Sequence, residues 1–184
     1  MSKKALLAAA LLALLPAAEA AELTRLVPGQ SRITFTSQQM GVPVDGQFKR
    51  FAAQVAVDPA RPEAGRARIE VDLASIDTGL AEADSEAQGK SWFNTAAFPK
   101  ATFVSERVQR LGPGRYQAVG KLSIKGVSRD IVAPFTVRPA GNGAWFDGGF
   151  TLKRLQFRIG EGDWADTGTV ADDVQVRFKL YLVP

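Results

Sequence analysis

Residues 174–182 read VQVRFKLYL, a run in which apolar and polar side chains alternate at every position. Successive side chains of a β-strand point to opposite faces of the sheet, so this run predicts a strand with one apolar and one polar face. Residues 69–73 (IEVDL) and 121–125 (KLSIK) alternate in the same way, as do the residues around Ile33 and Phe35. The same strand pattern therefore recurs along much of the chain.

Further strands are predicted between turn-forming segments such as residues 112–114, GPG. Gly and Pro favour the backbone conformations of turns, and here they separate successive apolar runs. The additional predicted strands are residues 47–57, 101–108, 116–120, 131–137 and 145–152. A total of roughly eight or nine strands at this spacing predicts an all-β barrel or sandwich.

One segment departs from the alternation. Residues 80–93 are rich in Ala, Glu, Gln and Lys, and most of these types favour a helix. Thr78 stands where an N-cap is expected, and Glu82 falls in the predicted first turn. We therefore expect one short helix inserted among the strands.

The N-terminal residues predict an export signal. The basic pair Lys3 and Lys4 precedes an apolar run over residues 5–15, and a small-x-small cleavage site ends at Ala20. The apolar run is too short for a transmembrane helix, which needs about 20 residues. The sequence therefore predicts that residues 1–20 are a cleaved signal peptide.

The composition excludes several classes of function. The chain of 184 residues contains no cysteine and no histidine, which excludes zinc sites built on thiolate or imidazole, disulfides, and Ser-His or Cys-His nucleophile pairs. A formal net charge of +4 is too small to indicate a nucleic-acid partner. We expect a single domain over residues 21–184, without a cofactor or a metal site.

An exported barrel can be soluble or can span the outer membrane. A transmembrane barrel keeps its polar residues in the lumen, and Arg177 and Lys179 could lie in such a lumen. A barrel of about eight strands, however, has an interior only wide enough for side chains or one small ligand. Charged residues occur on nearly every predicted strand, and the strands lack aromatic girdles at both ends. These features favour a soluble barrel.

The aromatic residues are compatible with a filled core or with an apolar cavity. The chain has eleven phenylalanines and three tryptophans, and simple core packing is the usual fate of Phe. A long apolar cavity inside a closed barrel is the arrangement by which soluble barrels hold lipophilic ligands. In that interpretation the candidate tunnel residues are Phe35, Met40, Phe48, Phe51, Trp92, Phe93, Phe98, Phe103, Phe135, Phe150 and Phe157.

Several short motifs share their order and spacing with a known family. They are GQF at 46–48 with Phe51 and DP at 58–59, ASIDTG at 74–79, WFN at 92–94 with FP at 98–99, TFVS at 102–105, GKLSIKGV at 120–127, and residues 154–160. Together they resemble the YceI-like polyisoprenoid-binding proteins of the bacterial periplasm, from about residue 30 to residue 182. The resemblance implies an extended, lipocalin-like antiparallel β-barrel whose interior takes a long isoprenoid or other lipid tail, with one helix near an end.

Residues 160–167, GEGDWADT, followed by Val170, resemble a subgroup associated with membrane cytochrome b561 proteins. This resemblance implies a quinone ligand and transient contact with a membrane or a membrane cytochrome. Two stretches depart from the family, namely ADSEA at 83–87, where many members have Arg-Asp-x-His-Leu, and FRI at 157–159, where Phe-Gly-Ile is common. Headgroup recognition is therefore expected to differ from that in such relatives, and the oligomeric state, including a homodimer, stays open.

The headgroup of a bound lipid is expected at the barrel mouth. Arg50, Arg154 and Arg158 are the candidate residues, because a diphosphate pairs well with Arg forks and a quinone accepts one or two hydrogen bonds. Solvated surface charge is the alternative interpretation of each residue, since long basic side chains are mostly exposed.

Two Asp-Thr-Gly triplets, at 77–79 and 166–168, are the strongest pattern for an enzyme. Aspartic proteases use two such carboxylates that share one proton. Leu80 and Thr169 follow the triplets where that family favours Ser or Ala, so a strand end and a Gly turn explain them better. An acidic loop suggests calcium, but its spacing matches no EF-hand; it contains Asp163, Asp166, Asp172 and Asp173.

The sequence therefore predicts a non-enzymatic periplasmic protein that binds, transports or sequesters a long-chain isoprenoid lipid of polyprenyl or quinone type. The alternatives are a structural or stress-protective protein with a filled core, and an aspartate-dependent hydrolase. A continuous cavity would favour binding, a filled interior would favour the structural class, and paired carboxylates of Asp77 and Asp166 would favour the hydrolase.

Overall fold

The structure, a computed structural model, describes residues 21–184, so the signal peptide predicted over residues 1–20 lies outside the described residues. Its strands are β1 (Arg25–Leu26), β2 (Arg32–Gln39), β3 (Val42–Phe48), β4 (Phe51–Ala56), β5 (Arg66–Asp72), β6 (Ile76–Asp77), β7 (Lys100–Gly112), β8 (Arg115–Ile124), β9 (Val127–Ala140), β10 (Gly143–Lys153) and β11 (Asp173–Val183). The α-helix is α1 (Ala81–Gln88), and short 3-10 helices cover Pro28–Gln30, Pro62–Ala64, Leu73–Ser75, Arg154–Phe157 and Gly162–Ala165.

All strands belong to one antiparallel sheet with the order β4-β5-β7-β8-β9-β10-β11-β2-β3-β6, and β1 pairs with β11. The two ends of this path meet, because β4 continues β3 along the chain and β6 continues β5. Two backbone hydrogen bonds bridge the breaks, from Lys49 N to Ser75 O and from Asp72 N to Arg50 O, each 3.0 Å long. When each bent strand is counted once and β1 is set aside, eight long strands close the ring.

This architecture confirms the predicted lipocalin-like antiparallel barrel of about eight strands with one short helix. The register also follows the alternation of the sequence. In the β10–β11 ladder, Phe146 lies opposite Leu180 and Phe150 lies opposite Val176. These apolar residues point into the barrel, whereas the intervening charged residues of β11 point outward.

Buried apolar clusters occupy both halves of the barrel. At the far end, where β1 lies, the buried residues are Leu23, Ile33, Val57, Tyr116, Val137, Ala144, Phe146, Leu180 and Leu182. At the helix end, where α1 lies, they are Leu73, Ala101, Leu122, Ile124, Leu152, Phe157 and Ile159. Full burial of a Leu, Ile, Val or Phe side chain contributes about 1.5–3 kcal/mol, so both clusters stabilise a chain that has no disulfide.

The helix is shorter than predicted, and the prediction that Thr78 caps it is wrong. Leu80 is the N-cap residue and makes no side-chain capping bond. Gly79, with φ +81°, turns the backbone between Thr78 and the helix. The Asp84 carboxylate therefore reaches back and accepts hydrogen bonds from both the backbone N and the hydroxyl of Thr78, each 2.7 Å.

No helix in the described part of the chain has both the length and the apolar character needed to cross a bilayer.

Candidate functional site

The barrel interior contains a continuous apolar cavity of about 580 Å³. This volume falls within the range of about 300–1,000 Å³ that is typical of small-molecule sites. Inward-facing side chains from all eight long strands line it. Phe35, Phe103 and Phe178 point inward yet stay partly accessible, because they face the cavity instead of one another.

Inward-facing glycines let aromatic rings lie close against the barrel wall. Gly46 of β3 pairs with Phe35 of β2, and Gly148 of β10 pairs with Phe178 of β11. A Cβ atom on Gly148 would lie 2.7 Å from the Phe178 ring, and one on Gly46 would also collide with the Phe35 ring. A larger residue at either position would push the ring towards the barrel axis, so these glycines help to keep the cavity open.

Seven of the eleven predicted tunnel residues line the cavity, and four do not. The lining residues are Phe35, Phe48, Trp92, Phe93, Phe103, Phe135 and Phe150. Met40 lies at the β2–β3 turn with 76% of its surface exposed, and Phe157 is buried in the helix-end cluster. Phe51 packs against the far-end cluster, and Phe98 lies against the Gly126 turn.

Sequence reasoning about the tunnel missed most of the aliphatic wall and two of its phenylalanines. The missed residues include Ile33, Ile69, Val71, Phe146, Val176, Phe178 and Leu180. The alternation of apolar and polar residues that predicted the strands already marked the inward face of β2, β5 and β11. The predicted tunnel residues were chosen almost entirely for being aromatic, so the aliphatic residues on the same inward faces were left out.

Arg154 lines the cavity at the helix end, but its guanidinium group is fully engaged by the protein. The side chain is buried, with 1% of its surface exposed. Its five N–H donors bond to the carbonyl oxygens of Ala171, Ile159, Gly160, Trp164 and Val170, at 2.6–3.1 Å. Burial lowers the pKa of Arg154, and the carboxylate of Asp172 opposes that shift. Arg154 thus pins the segment 154–172 across the barrel end and keeps no N–H donor for a ligand.

The other two predicted headgroup residues lie outside the cavity lining. The Arg50 guanidinium pairs with the Asp72 carboxylate at 2.8 Å, near the break between β3 and β4. The Arg158 guanidinium pairs with Glu161 at 2.9 Å on the outer surface. The structure therefore does not bring the three arginines together at one mouth.

The segment that Arg154 pins is also tied to the turn after α1. The backbone N atoms of Gly160 and Glu161 both donate to Ser91 O at 2.8 Å. The rings of Trp92 and Trp164 lie 5.4 Å apart between centroids. The same segment is also bonded to the end of β2, through hydrogen bonds from Met40 N to Thr169 O and from Ala171 N to Gln38 O, so these contacts cover part of the helix end.

Three polar lining residues of the helix end, Gln39, Glu82 and Glu86, are exposed, and they mark an opening of the cavity there. Helix α1 contributes Glu82 and Glu86 together with Ala83 and Ala87, which lie on one helical face. Strand β2 and the turn before the helix complete the opening with Ser37, Gln39 and Thr78. The opening thus combines acidic and neutral polar groups around an apolar interior.

The two Asp-Thr-Gly triplets are not paired with each other in the structure. The Asp77 carboxylate binds Lys49 Nζ at 3.0 Å and Gln47 Nε2 at 3.1 Å. The Asp166 carboxylate accepts from the Thr169 hydroxyl at 2.7 Å and the Gly168 N at 3.0 Å. These neighbours lower the pKa of each carboxyl group, with the side-chain hydrogen bond from Lys49 or Thr169 as the largest cause. Within residues 21–184 no cluster of three or more acidic side chains has the arrangement of a metal site.

Comparison with known proteins supports the family resemblance. The YceI-like domain family model matches residues 25–182. A UPF0312 protein of Yersinia pestis (strain Pestoides F) is 30% identical over 137 residues, which are 71% of this chain and 69% of the relative. A UPF0312 protein of Azotobacter vinelandii has the same identity and coverage.

Solved structures share the fold. Burkholderia cenocepacia BcnA is 40% identical with a TM-score of 0.83, over 85% of this chain and 99% of BcnA. A YceI protein of Campylobacter jejuni is 24% identical with a TM-score of 0.69, over 75% and 83% of the two chains. A polyisoprenoid-binding domain from Saccharophagus degradans is 18% identical with a TM-score of 0.68, over 86% and 97%. The last two similarities concern the fold alone.

Proposed function

The chain belongs to the YceI-like domain family, and on that premise we propose that it binds a long-chain isoprenoid lipid, of polyprenyl or quinone type, with the tail inside the barrel. The observation that carries the proposal is the continuous apolar cavity of about 580 Å³. The description of the Saccharophagus degradans domain as polyisoprenoid-binding supports the same ligand class.

An apolar tail needs little directional recognition. Each buried methylene group contributes about 0.8 kcal/mol, so ten of them supply roughly 8 kcal/mol before the cost of ordering the tail. Phe and aliphatic side chains of the wall supply the contacts, and affinity follows the length of tail that the cavity accepts.

The proposed role is that of a carrier or a sequestering protein in the periplasm. The basic, apolar and small-residue pattern of residues 1–20 supports export. We also propose that the protein exchanges the lipid with a membrane or a membrane cytochrome. The resemblance of residues 160–167 to a subgroup associated with membrane cytochrome b561 proteins supports this exchange.

Binding is favoured over the two alternatives. A structural protein with a filled core would not need a lined cavity of this size. A hydrolase of the aspartic type would need Asp77 and Asp166 to share a proton, whereas each carboxylate is held by its own neighbours. We therefore propose a protein without catalytic activity.

A series of prenyl alcohols with a common head and increasing tail length tests the proposal. We expect affinity in isothermal titration calorimetry to rise from geraniol through farnesol to geranylgeraniol, because each added unit buries more apolar surface. Absence of binding, or affinity independent of tail length, would contradict tail binding in the cavity.

A cavity-blocking variant locates the binding in the barrel. Ala118 lines the cavity, whereas its neighbour Gln117 points outward and bonds to Gln109. Ala118→Phe is expected to weaken geranylgeraniol binding at least about tenfold, since its ring occupies space that the tail needs. The matched Gln117→Phe variant is expected to bind as the unmodified protein does, and equal binding by both variants would place the ligand elsewhere.

A further inference from the structure

We propose that the opening of the cavity selects against phosphate heads and takes a lipid whose polar end is a hydroxyl or an amine. The proposal rests on the proposed function, because it names the head of the lipid whose tail fills the barrel. The juxtaposition that carries it is two carboxylates without an ion-pair partner, Glu82 and Glu86, on the rim of a cavity whose lining, within residues 21–184, offers no cation with a free N–H donor at that end.

The two carboxylates share one face of α1. Glu82 and Glu86 are four residues apart, so their side chains lie one helical turn apart, and both line the cavity. Both are exposed. Among the ion pairs within residues 21–184, neither carboxylate has a basic partner. Their negative charge therefore acts on whatever enters the opening.

Arg154 is the one cation of the described lining that lies with the two carboxylates at the helix end, so the lining there, with two carboxylates and one guanidinium, keeps a net charge of −1. The charged lining residues are Arg66, Glu82, Glu86 and Arg154. Arg154 has every N–H donor on a backbone carbonyl, so it offers a phosphate no hydrogen bond. Arg66 begins β5 and pairs with Ala56 at the opposite end of the barrel.

The neutral groups of the opening suit a head that donates hydrogen bonds. A hydroxyl can donate to a Glu82 or Glu86 carboxylate and accept from the Gln39 amide or the Ser37 hydroxyl. An ammonium group donates to the same carboxylates with the gain of opposite charge. A phosphate monoester carries a charge of about −1.5 to −2 at pH 7 and offers mainly acceptor oxygens, so the rim repels it.

Three ligands with one tail and different heads test the proposal. Geranylgeranylamine, geranylgeraniol and geranylgeranyl phosphate are compared by titration calorimetry at low salt. A pair of unit charges about 4 Å apart in water changes an equilibrium by about fivefold. We therefore expect the phosphate to bind about tenfold or more weakly than the alcohol, and the amine to bind at least as tightly as the alcohol.

A charge-neutral variant attributes the selection to the rim. The double variant Glu82→Gln, Glu86→Gln is expected to bind the phosphate about tenfold more tightly than the unmodified protein does, with less than about a twofold change for the alcohol. The matched control removes two carboxylates outside the lining, by Glu63→Gln and Glu106→Gln, and is expected to change neither affinity. High salt should raise phosphate affinity in the unmodified protein, because it screens the repulsion between exposed charges.

Three outcomes overturn the proposal in different ways. Phosphate binding as tight as alcohol binding would contradict selection at the opening. Loss of phosphate affinity in Arg66→Gln, without a gain in the double Gln variant, would place the head at the far end. Failure of all three ligands to bind would overturn tail binding, and with it the proposed function itself.

Discussion

Arg154 shows at the level of one side chain how the closed end of the barrel is built. Its five bonds reach backbone carbonyls of residues 159–171, which form no regular strand. A guanidinium presents five donors in a fixed plane. One side chain can therefore give hydrogen bonds to five backbone carbonyl oxygens, which in a regular sheet would be bonded by the N–H groups of a neighbouring strand. Arg154 is therefore a major source of stability for this segment, beside the backbone bonds that tie the segment to Ser91 and to the end of β2.

Arg154→Gln is expected to lower the free energy of unfolding by about 3–5 kcal/mol, because it leaves buried carbonyl oxygens without donors. Urea denaturation followed by tryptophan fluorescence measures the change. The matched variant Arg158→Gln alters a guanidinium that is 64% exposed and is expected to cost less than about 1 kcal/mol. Similar losses in both variants would show that the bonds of Arg154 are not the source of the stability.

Glu161 gives a pH dependence with a defined sign. Hydrogen bonds from Lys125 and then Arg158 hold the pKa of this carboxyl below its ordinary value of 4.5. A carboxyl whose folded pKa is lowered contributes stability above its unfolded pKa and loses that contribution as the pH falls through the folded pKa.

We therefore expect Glu161→Gln to be less stable than the unmodified protein at pH 7, with a difference that shrinks as the pH falls below about 4.5. Urea denaturation at several pH values measures it. A difference that stays constant down to pH 3 would mean that the charge of Glu161 contributes nothing. Asp163→Asn, which changes an exposed carboxylate with no ion pair within residues 21–184, is the control.

At the scale of elements, barrel closure depends on the place where β3 passes into β4 and β5 passes into β6. Ser75 is buried there; its hydroxyl oxygen accepts a hydrogen bond from Arg50 N at 3.0 Å, and its O–H donates to Asp72 O at 2.6 Å. The hydroxyl bonds to backbone groups of Arg50 and Asp72 at the bend, where the regular hydrogen bonds between strands are interrupted. It thus joins the two bent strands at their corner.

Ser75→Ala is expected to destabilise the protein by about 1–3 kcal/mol, because it leaves the amide of Arg50 without an acceptor in a buried corner. Ser123→Ala removes an exposed hydroxyl that bonds to Ser128 and is expected to change stability by less than about 0.5 kcal/mol. Denaturant titration of both variants distinguishes the two sites. An equal effect would contradict the role of Ser75 in closure.

The sequence predicted the elements where local pattern decides them and missed those that depend on distant partners. Alternation located β11 because the apolar face of that strand is continuous. The predicted strand over residues 47–57 spans the observed break and omits residues 42–46, since Pro43, Asp45 and Gly46 look like a turn. Pairing with β2 and β6 makes those residues a strand, and no local pattern reports that pairing.

The same contrast holds for the candidate site. Phe35 and Phe150 were predictable as tunnel residues because they lie on alternating strands. Phe157 is aromatic as well and was predicted as a tunnel residue for that reason, but the 3-10 turn Arg154–Phe157 places it in the core. Arg154 was predicted at the mouth from its charge, and only the folded segment reveals the carbonyls that use all of its donors.

For the whole molecule, the distribution of side chains explains why a barrel without disulfides can keep an apolar interior. Buried clusters lie towards both ends, and the lined cavity runs between them. Apart from Arg66 at the start of β5, the charged residues of the strands lie outside the cavity lining, where pairs such as Lys153–Asp173 are solvated. This arrangement leaves the interior free to accept hydrocarbon and places the charged lining residues at the two ends, with Glu82 and Glu86 beside α1 and Arg66 at the far end.

The most direct test of the central claim is native mass spectrometry of the protein purified from the periplasm, followed by solvent extraction and identification of the released compounds. We predict a mass shift from one isoprenoid lipid per chain, lost in Ala118→Phe and kept in Gln117→Phe. A protein that carries no lipid, and takes up neither prenyl alcohols nor quinones when they are added, would contradict the claim and favour a structural role.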